Sequence, residues 1–359
     1  MPHLVAAPDK LRGTATATEA AVAIVRGAAR AGWTATAVPL SDGGDGLLAV
    51  LGGRGGRAHR TEVTGPLGQP VEATWLEVGG TAFIEMAQAS GLTLVGGAAG
   101  NDPMAASTTG TGELMVAACR RSVRRVVVGL GGSATTDGGW GALQAVANAG
   151  GLAGVELVGA CDVETTFLEA ARMFAHQKGA GPEQIDVLEA RLATLARRYR
   201  RAYGVDVTAV PGGGAAGGLG GAIVALGGRL CSGFDLVADV VDLQGFLGGA
   251  DLVVTAEGMV DHTSVLGKVV GQLRARAAAA QCPSLVIAGT VAEGVYPDQW
   301  GPSGGRGNGP GTALVSLVEQ FGRDEAWRNP LTCIEEAVAR YLRGWPPTAG
   351  SEYSAQRVW

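Results

Sequence analysis

Three times along the chain a short apolar run, suited to a buried strand, passes through a polar or glycine-rich loop into a helical stretch. The first is residues 3–7, then the turn PDKLRG, then an Ala-rich stretch over 16–31 stopped by Gly32. The second runs from the β-branched segment 125–129 through GGSATTDGG into a helix over 140–149. The third is the strand 251–255, whose following helix, 267–280, leads into another strand at 284–288. Strands that alternate with helices predict parallel sheets and an α/β fold. Such sheets present ligand loops at the carboxyl ends of their strands, so these loops are expected to converge on one site.

The 359 residues exceed the roughly 250–300 at which a single core stops growing. The expectation is two α/β domains with mostly parallel sheets, one inserted into the other, and a cleft between them. Residues 1–62 and 250–345 are assigned to a discontinuous Rossmann-like domain, 63–249 to the inserted domain, and 346–359 to a polar tail. The helix expected over 183–201 carries Arg and Glu on a face read as solvated, and GPSGGRGNGPG (301–311) reads as a surface loop.

Composition excludes several classes. The 28 Lys and Arg against 33 Asp and Glu give a net charge of −5, without the basic surplus that a nucleic-acid partner demands. No apolar run reaches the ~18 residues of a membrane span, and MPHLVAAPDK lacks a signal-peptide profile, so a cytoplasmic location is expected. The five Cys are dispersed without a CxxC pair, which argues against a disulfide framework or a zinc site. The 60 Gly stand far above the ~7% of average usage and gather in short loops.

Phosphoryl transfer needs close backbone approach to phosphates, cations, carboxylates for Mg2+ and a group that orients the attacking hydroxyl. The loop Asp9-Lys10-Leu11-Arg12-Gly13-Thr14 sets two cations and a carboxylate between a strand and a helix start. Ser41-Asp42-Gly43-Gly44-Asp45-Gly46 carries two carboxylates among glycines, suited to a hard cation or a hydroxyl. The segment 129–139, GLGGSATTDGG, joins hydroxyls, small residues and one Asp at a helix start, suited to phosphate oxygens. It also matches GxGxxA, but no acidic residue ends the next strand as a dinucleotide fold requires, and Glu156 fits only loosely. No GxxxxGK[ST] occurs anywhere. The small-residue loops 108–113 and 211–220 fit either a ligand or tight helix packing.

Taken in order, APDKLRGT, SDGGDG, VTGPLG, FIEMAQASGL, STTGTGEL, GLGGSATTDGG, CDV with HQKGA, PGGGAAGGLG and VVTAEGMVD with LGK resemble the type I glycerate kinase family, from near the start to about Val291. The resemblance implies two α/β domains, use of ATP and Mg2+, and phosphorylation of D-glycerate. It points to Lys10, Arg12, Asp42, Ser133, Asp137, Asp162, Gln177, Lys178, Glu257, Asp261 and Lys268 as the pocket. Within that set, Lys10, Arg12, Asp42 and Asp137 are the expected catalytic groups, with Asp42 and Asp137 also expected to hold Mg2+. Gly131, Gly132, Ser133, Thr135, Gly138 and Lys268 are expected around ATP, and Glu85, Asp162, Gln177, Lys178, Glu257 and Asp261 around the hydroxy acid. Glu85 is either exposed by strand alternation or buried and partnered.

The chain departs from the family pattern at Ala256, Met259, Thr263 and Ser264, which stand where the family carries Gly, Arg, Gln and Thr, and its segment after Val163 is shortened. Losing an Arg that grips a carboxylate removes a contact of about 1.5–3 kcal/mol, which bears on the acceptor more than on the reaction class. Another small hydroxylated acceptor, or a non-catalytic ligand-binding role, are the alternatives. His176 and His262 read as packing residues, and Trp75, Trp140 and Trp327 as fillers, with Trp140 alone placed to border a nucleotide.

Overall fold

The computed structural model describes residues 1–11, 13–53, 55–152, 154–262, 264, 269–295 and 311–345. Arg12 and Lys268, the 301–310 part of the glycine-rich loop and the 346–359 tail lie outside them. The strands in chain order are β1 His3–Ala6, β2 Thr34–Ala37, β3 Arg57–Thr64, β4 Pro70–Val78, β5 Thr81–Glu85 and β6 Arg125–Gly129. They continue with β7 Glu156–Ala160, β8 Arg229–Cys231, β9 Leu252–Val260, β10 Ser284–Val291 and β11 Thr312–Ser316. The chain divides into two compact units, 1–42 with 237–359, and 43–236.

The first unit is built on a five-stranded sheet in the order β11-β10-β9-β1-β2, parallel throughout. Leu4, Val5 and Ala6 are fully buried, as expected of a central strand covered on both faces. The helix Ala17–Arg30 starts where expected because Thr16 and Glu19 form a capping box. It packs closely on the helix Pro330–Arg343, since a Cβ on Gly27 would lie 2.5 Å from the Glu335 carbonyl oxygen.

The second unit carries a six-stranded sheet, β3-β4-β5-β6-β7-β8. Strands β5 to β8 are parallel, while β3, β4 and β5 form an antiparallel meander. Residues 43–62 are expected from sequence in the discontinuous domain but group with the second unit, where Glu85 holds the Gly46 and Leu48 amides and β3 pairs along its whole length with β4. The turn between these strands is closed by the Gly65 amide on the Gln69 carbonyl at 2.6 Å, with Gly68 at a φ of 91°. Trp75, Phe167, Tyr199 and Met86 fill the core beneath the sheet.

Candidate functional site

In the first unit the strand ends of β9, β1 and β2, neighbours in the sheet, bring acidic side chains together with a lysine. Lys10 Nζ lies 4.0 Å from Asp42 Oδ1, both side chains partly exposed. Asp9 has its carboxyl pushed up to about 7 by burial first, then by the negative charges of Asp42 and Glu257, against the opposing hydrogen bond from the Lys10 amide and the Lys10 charge. In the sequence Asp9 is only one member of the loop 9–14, because burial of one carboxylate is not visible in a motif. Asp261 sits past the end of β9 and exchanges hydrogen bonds with Ser264, whose amide donates to Oδ1 at 2.9 Å. Met259, where the family pattern has Arg, is 54% exposed. Among the described residues no three or more His, Cys, Asp or Glu are arranged to hold a metal by themselves.

In the second unit the loops 43–46 and 129–133 lie directly on each other. A Cβ on Gly131 would stand 2.8 Å from the Gly44 Cα, and one on Gly132 2.6 Å from Asp45 Oδ1. Gly43 in turn faces Gly233, 2.5 Å from its Cα on the same basis. Backbone contact requires glycine at 43 and 131, and a φ of 66° favours it at 132. Glu85, at the end of β5, is buried and partnered: Oε1 accepts from the Gly46 and Leu48 amides at 2.9 and 3.0 Å. Asp162 accepts from the Gly233 and Phe234 amides, at 2.9 and 3.1 Å, and so caps the helix Gly233–Val240. Expected as substrate ligands, both carboxylates bind backbone amides of this unit.

Asp137 has similar employment. Its Oδ2 accepts from the Thr108 amide and hydroxyl and from the Gly141 amide, and its Oδ1 accepts from the Gly139 amide at 3.1 Å. Gly138 has a φ of 67°, which favours glycine, and a Cβ there would also press on the Leu195, Phe167 and Leu192 side chains. The glycines of 211–220 likewise serve packing: the Gly217 carbonyl accepts from the Gly138 amide at 3.0 Å, and a Cβ on Gly218 would lie 2.7 Å from the Gly138 Cα. Gly112 abuts Ala142 in the same way, so the segment 108–113 is also a helix contact.

The loop 131–137 has an asymmetric hydrogen-bond pattern. Its carbonyls at Gly132, Ala134, Thr135 and Asp137 all accept, from the Leu92 amide, Asn101, Lys178 and the Trp140 amide respectively. Its amides at Gly131, Gly132, Ser133, Thr135, Thr136 and Asp137 meet no acceptor among the described residues. The hydroxyls of Thr135 and Thr136 are buried and also without a partner.

Thr136 and Asp137 form part of the wall of a cavity of about 590 Å3, with Ser107, Thr109, Met104 and Trp140. Its opposite wall is the helix Pro182–Tyr203, through Val187, Leu188, Arg191 and Leu195. Only the exposed charges of that helix are legible in the sequence, not what its apolar face encloses. Trp140 lines the cavity, with the Arg198 guanidinium 3.8 Å over its ring. Gln177 is exposed on the turn His176–Lys178, whereas Lys178 is buried at 3% exposure and its ammonium is lowered to about 7, chiefly by desolvation. His176 and His262 are exposed, Trp75 is core, and Trp327 is 68% exposed.

Comparison with known proteins gives a consistent result. A model of the glycerate kinase family matches residues 4–150 and 148–304. An uncharacterized protein of Mycobacterium bovis is 43% identical over 304 residues, covering 80% of this chain and 79% of that protein. Glycerate 2-kinase of Escherichia coli K12 is 36% identical over 81% of this chain and 86% of its own length, and glycerate kinase of Bacillus subtilis 36% over 80% and 85%. A crystal structure of a candidate glycerate kinase 2 from Salmonella typhimurium LT2 superposes with a TM-score of 0.77 at 32% identity, covering 95% of this chain and 97% of that one.

Proposed function

Because the chain belongs to the glycerate kinase family, we propose that it uses ATP and Mg2+ to phosphorylate a hydroxyl of a small hydroxy acid, D-glycerate first among them. The observation that carries this assignment is the pair of acceptor-free amides at Thr136 and Asp137, two residues on the wall of the cavity, in a loop whose other amides at 131–133 and 135 also meet no acceptor among the described residues. A buried polar group without a partner is unfavourable by about 1–3 kcal/mol, and several convergent N–H donors suit phosphate oxygens. The base lies against Trp140, Met104 and Leu188, in a space of a size ordinary for a nucleotide-type ligand.

The acceptor and the cation are assigned to the strand ends of the five-stranded sheet. Lys10 offsets the acceptor carboxylate or phosphate charge, and Asp42 is the residue that would hold Mg2+, with Asp9 and Glu257 adding negative charge beside it. Mg2+ is normally bound through only one or two carboxylates plus phosphates and water, so a single carboxylate such as Asp42 suits this cation without the three-ligand cluster that is missing among the described residues. When bound, it offsets the charge on the phosphates. The assignment to Asp42 alone replaces the expectation for Asp137, whose oxygens are engaged by helix-start amides. An ATP-using enzyme of this kind belongs in the cytoplasm, and among the described residues no helix is long and apolar enough to cross a membrane.

A second acceptor is favoured by one observation: Met259 presents an apolar, half-exposed side chain where the family pattern has a guanidinium. Incubating the protein with MgATP and a panel of hydroxy acids, with phosphorus NMR of the products, tests both readings. Phosphoglycerate formed from D-glycerate is the expected result. Product from another acceptor alone would support the second reading, and no ATP consumption with any acceptor would refute both.

A further inference from the structure

Two side chains outside the loop 131–137 hold it by its carbonyls. Asn101 donates through Nδ2 to the Ala134 carbonyl at 3.0 Å and to the Lys178 carbonyl at 2.8 Å. Lys178 donates through Nζ to the Thr135 carbonyl at 2.6 Å. The result is a closed bridge: Asn101 joins the loop to the backbone of Lys178, and the side chain of Lys178 returns to the next carbonyl of the loop. Both protons of the Asn101 amide are committed, which fixes its orientation, while its Oδ1 is buried without a partner. The bridge lies in the interior, with Thr135 at 0% and Lys178 at 3% exposure. A buried ammonium carries a desolvation penalty that an aliphatic side chain of equal length would avoid, so its presence calls for a reason beyond filling space.

In a trans peptide the C=O of one residue and the N–H of the next point in opposite directions. Drawing the carbonyls of Ala134 and Thr135 toward Asn101 and Lys178 therefore turns the amides of Thr135 and Thr136 the other way. Those are two of the amides that have no acceptor among the described residues, and Thr136 lines the cavity.

We propose that Asn101 and Lys178 are positioning residues that aim the Thr135 and Thr136 amides at the phosphates of the nucleotide, and that neither touches substrate. This rests on the nucleotide assignment made above. It moves Lys178 from the substrate ligands to the back of the loop, and it gives Asn101 a role that no motif carries.

The test compares wild type with K178M and N101D, both close in volume to the native residues. Affinity for MgATP is measured by calorimetry, and KM for MgATP and for D-glycerate by steady-state assay, with a thermal melt as the control for folding. The expected result is a rise of at least tenfold in the Kd and KM for MgATP in each variant, with the D-glycerate KM within twofold of wild type. A residue needed only for folding would not separate the two KM values. Wild type that binds MgATP alongside variants that bind it within twofold overturns the proposal alone. Wild type that binds no MgATP overturns the nucleotide assignment as well. Should N101D or K178M fail to melt cooperatively, N101S and K178Q are read in their place. Collapse of all four counts against the proposal, since it would make both residues determinants of the fold.

Discussion

Thr108 donates both its backbone amide and its hydroxyl to a single oxygen, Oδ2 of Asp137, at 2.9 and 2.8 Å. The Gly141 amide adds a third bond to the same oxygen, and the Thr108 hydroxyl accepts in turn from the Ala142 amide at 3.0 Å. Asp137 thereby ties the start of the helix Thr109–Cys119 to the start of Trp140–Asn148. D137N places an NH2 group or a weaker acceptor among these donors, and is expected to destabilise the fold by roughly 2–4 kcal/mol in denaturant titration. D42N, partly exposed and outside this knot, is expected to stay within about 1 kcal/mol of wild type while losing most of its kcat. Equal stability of the two variants would contradict the division of roles.

Lys178 makes stability depend on pH in a defined window. Its ammonium is lowered from 10.5 to about 7, so between those values the unfolded chain binds a proton that the folded one does not. The contribution is present above pH 10.5 and is lost as pH falls toward 7, with a limiting slope of about 1.4 kcal/mol per pH unit. Subtracting the stability-pH curve of K178M from that of wild type should isolate this slope, rising from pH 7 toward 10. A flat difference curve would show that Lys178 titrates normally.

Gly217 has a φ of 67° and sits against the Thr135 carbonyl, where a Cβ would clash. G217A should therefore lose about 2–4 kcal/mol by denaturant titration, combining left-handed strain with overpacking. Gly151, at a φ of 92° but with open space around it, is the control, and G151A should lose only about 1–2 kcal/mol.

Much of the architecture is legible in the sequence because it is local. The runs 3–7, 125–129 and 284–288 are strands by their branched apolar residues, and Thr16 with Glu19 announces a helix start. The antiparallel pairing of β3 with β4 departs from the expectation of mostly parallel strands, because RAHRTEVT and PVEATWLEV are polar and only weakly alternating and carry little strand signal of their own. The site is less legible. Gly217 and Thr135, or Asn101 and Lys178, are far apart in the chain, and a glycine needed for packing looks the same as one needed for a phosphate. Asp162, Glu85 and Asp137 fall in motif loops, yet they bind backbone amides, which no spacing rule distinguishes from binding a ligand. Lys178 stands in a polar string, HQK, that gives no sign of burial.

M259R restores a guanidinium at a half-exposed position on the strand that also bears Glu257. If the acceptor carries a carboxylate, its KM should fall severalfold with kcat within twofold, in line with a charge-assisted contact of about 1–3 kcal/mol reduced by exposure. An unchanged KM for D-glycerate would mean that this position does not meet the acceptor.

The central claim is that the loop 131–137 receives nucleotide phosphates through its own amides. Following the backbone 15N–1H resonances of Ser133, Thr135, Thr136 and Asp137 while MgATP is added tests it directly. The predicted result is large, saturable shifts at these amides, with the Trp140 side-chain resonance moving at the same midpoint. Saturable ATP binding that leaves all four amides unmoved would contradict the claim.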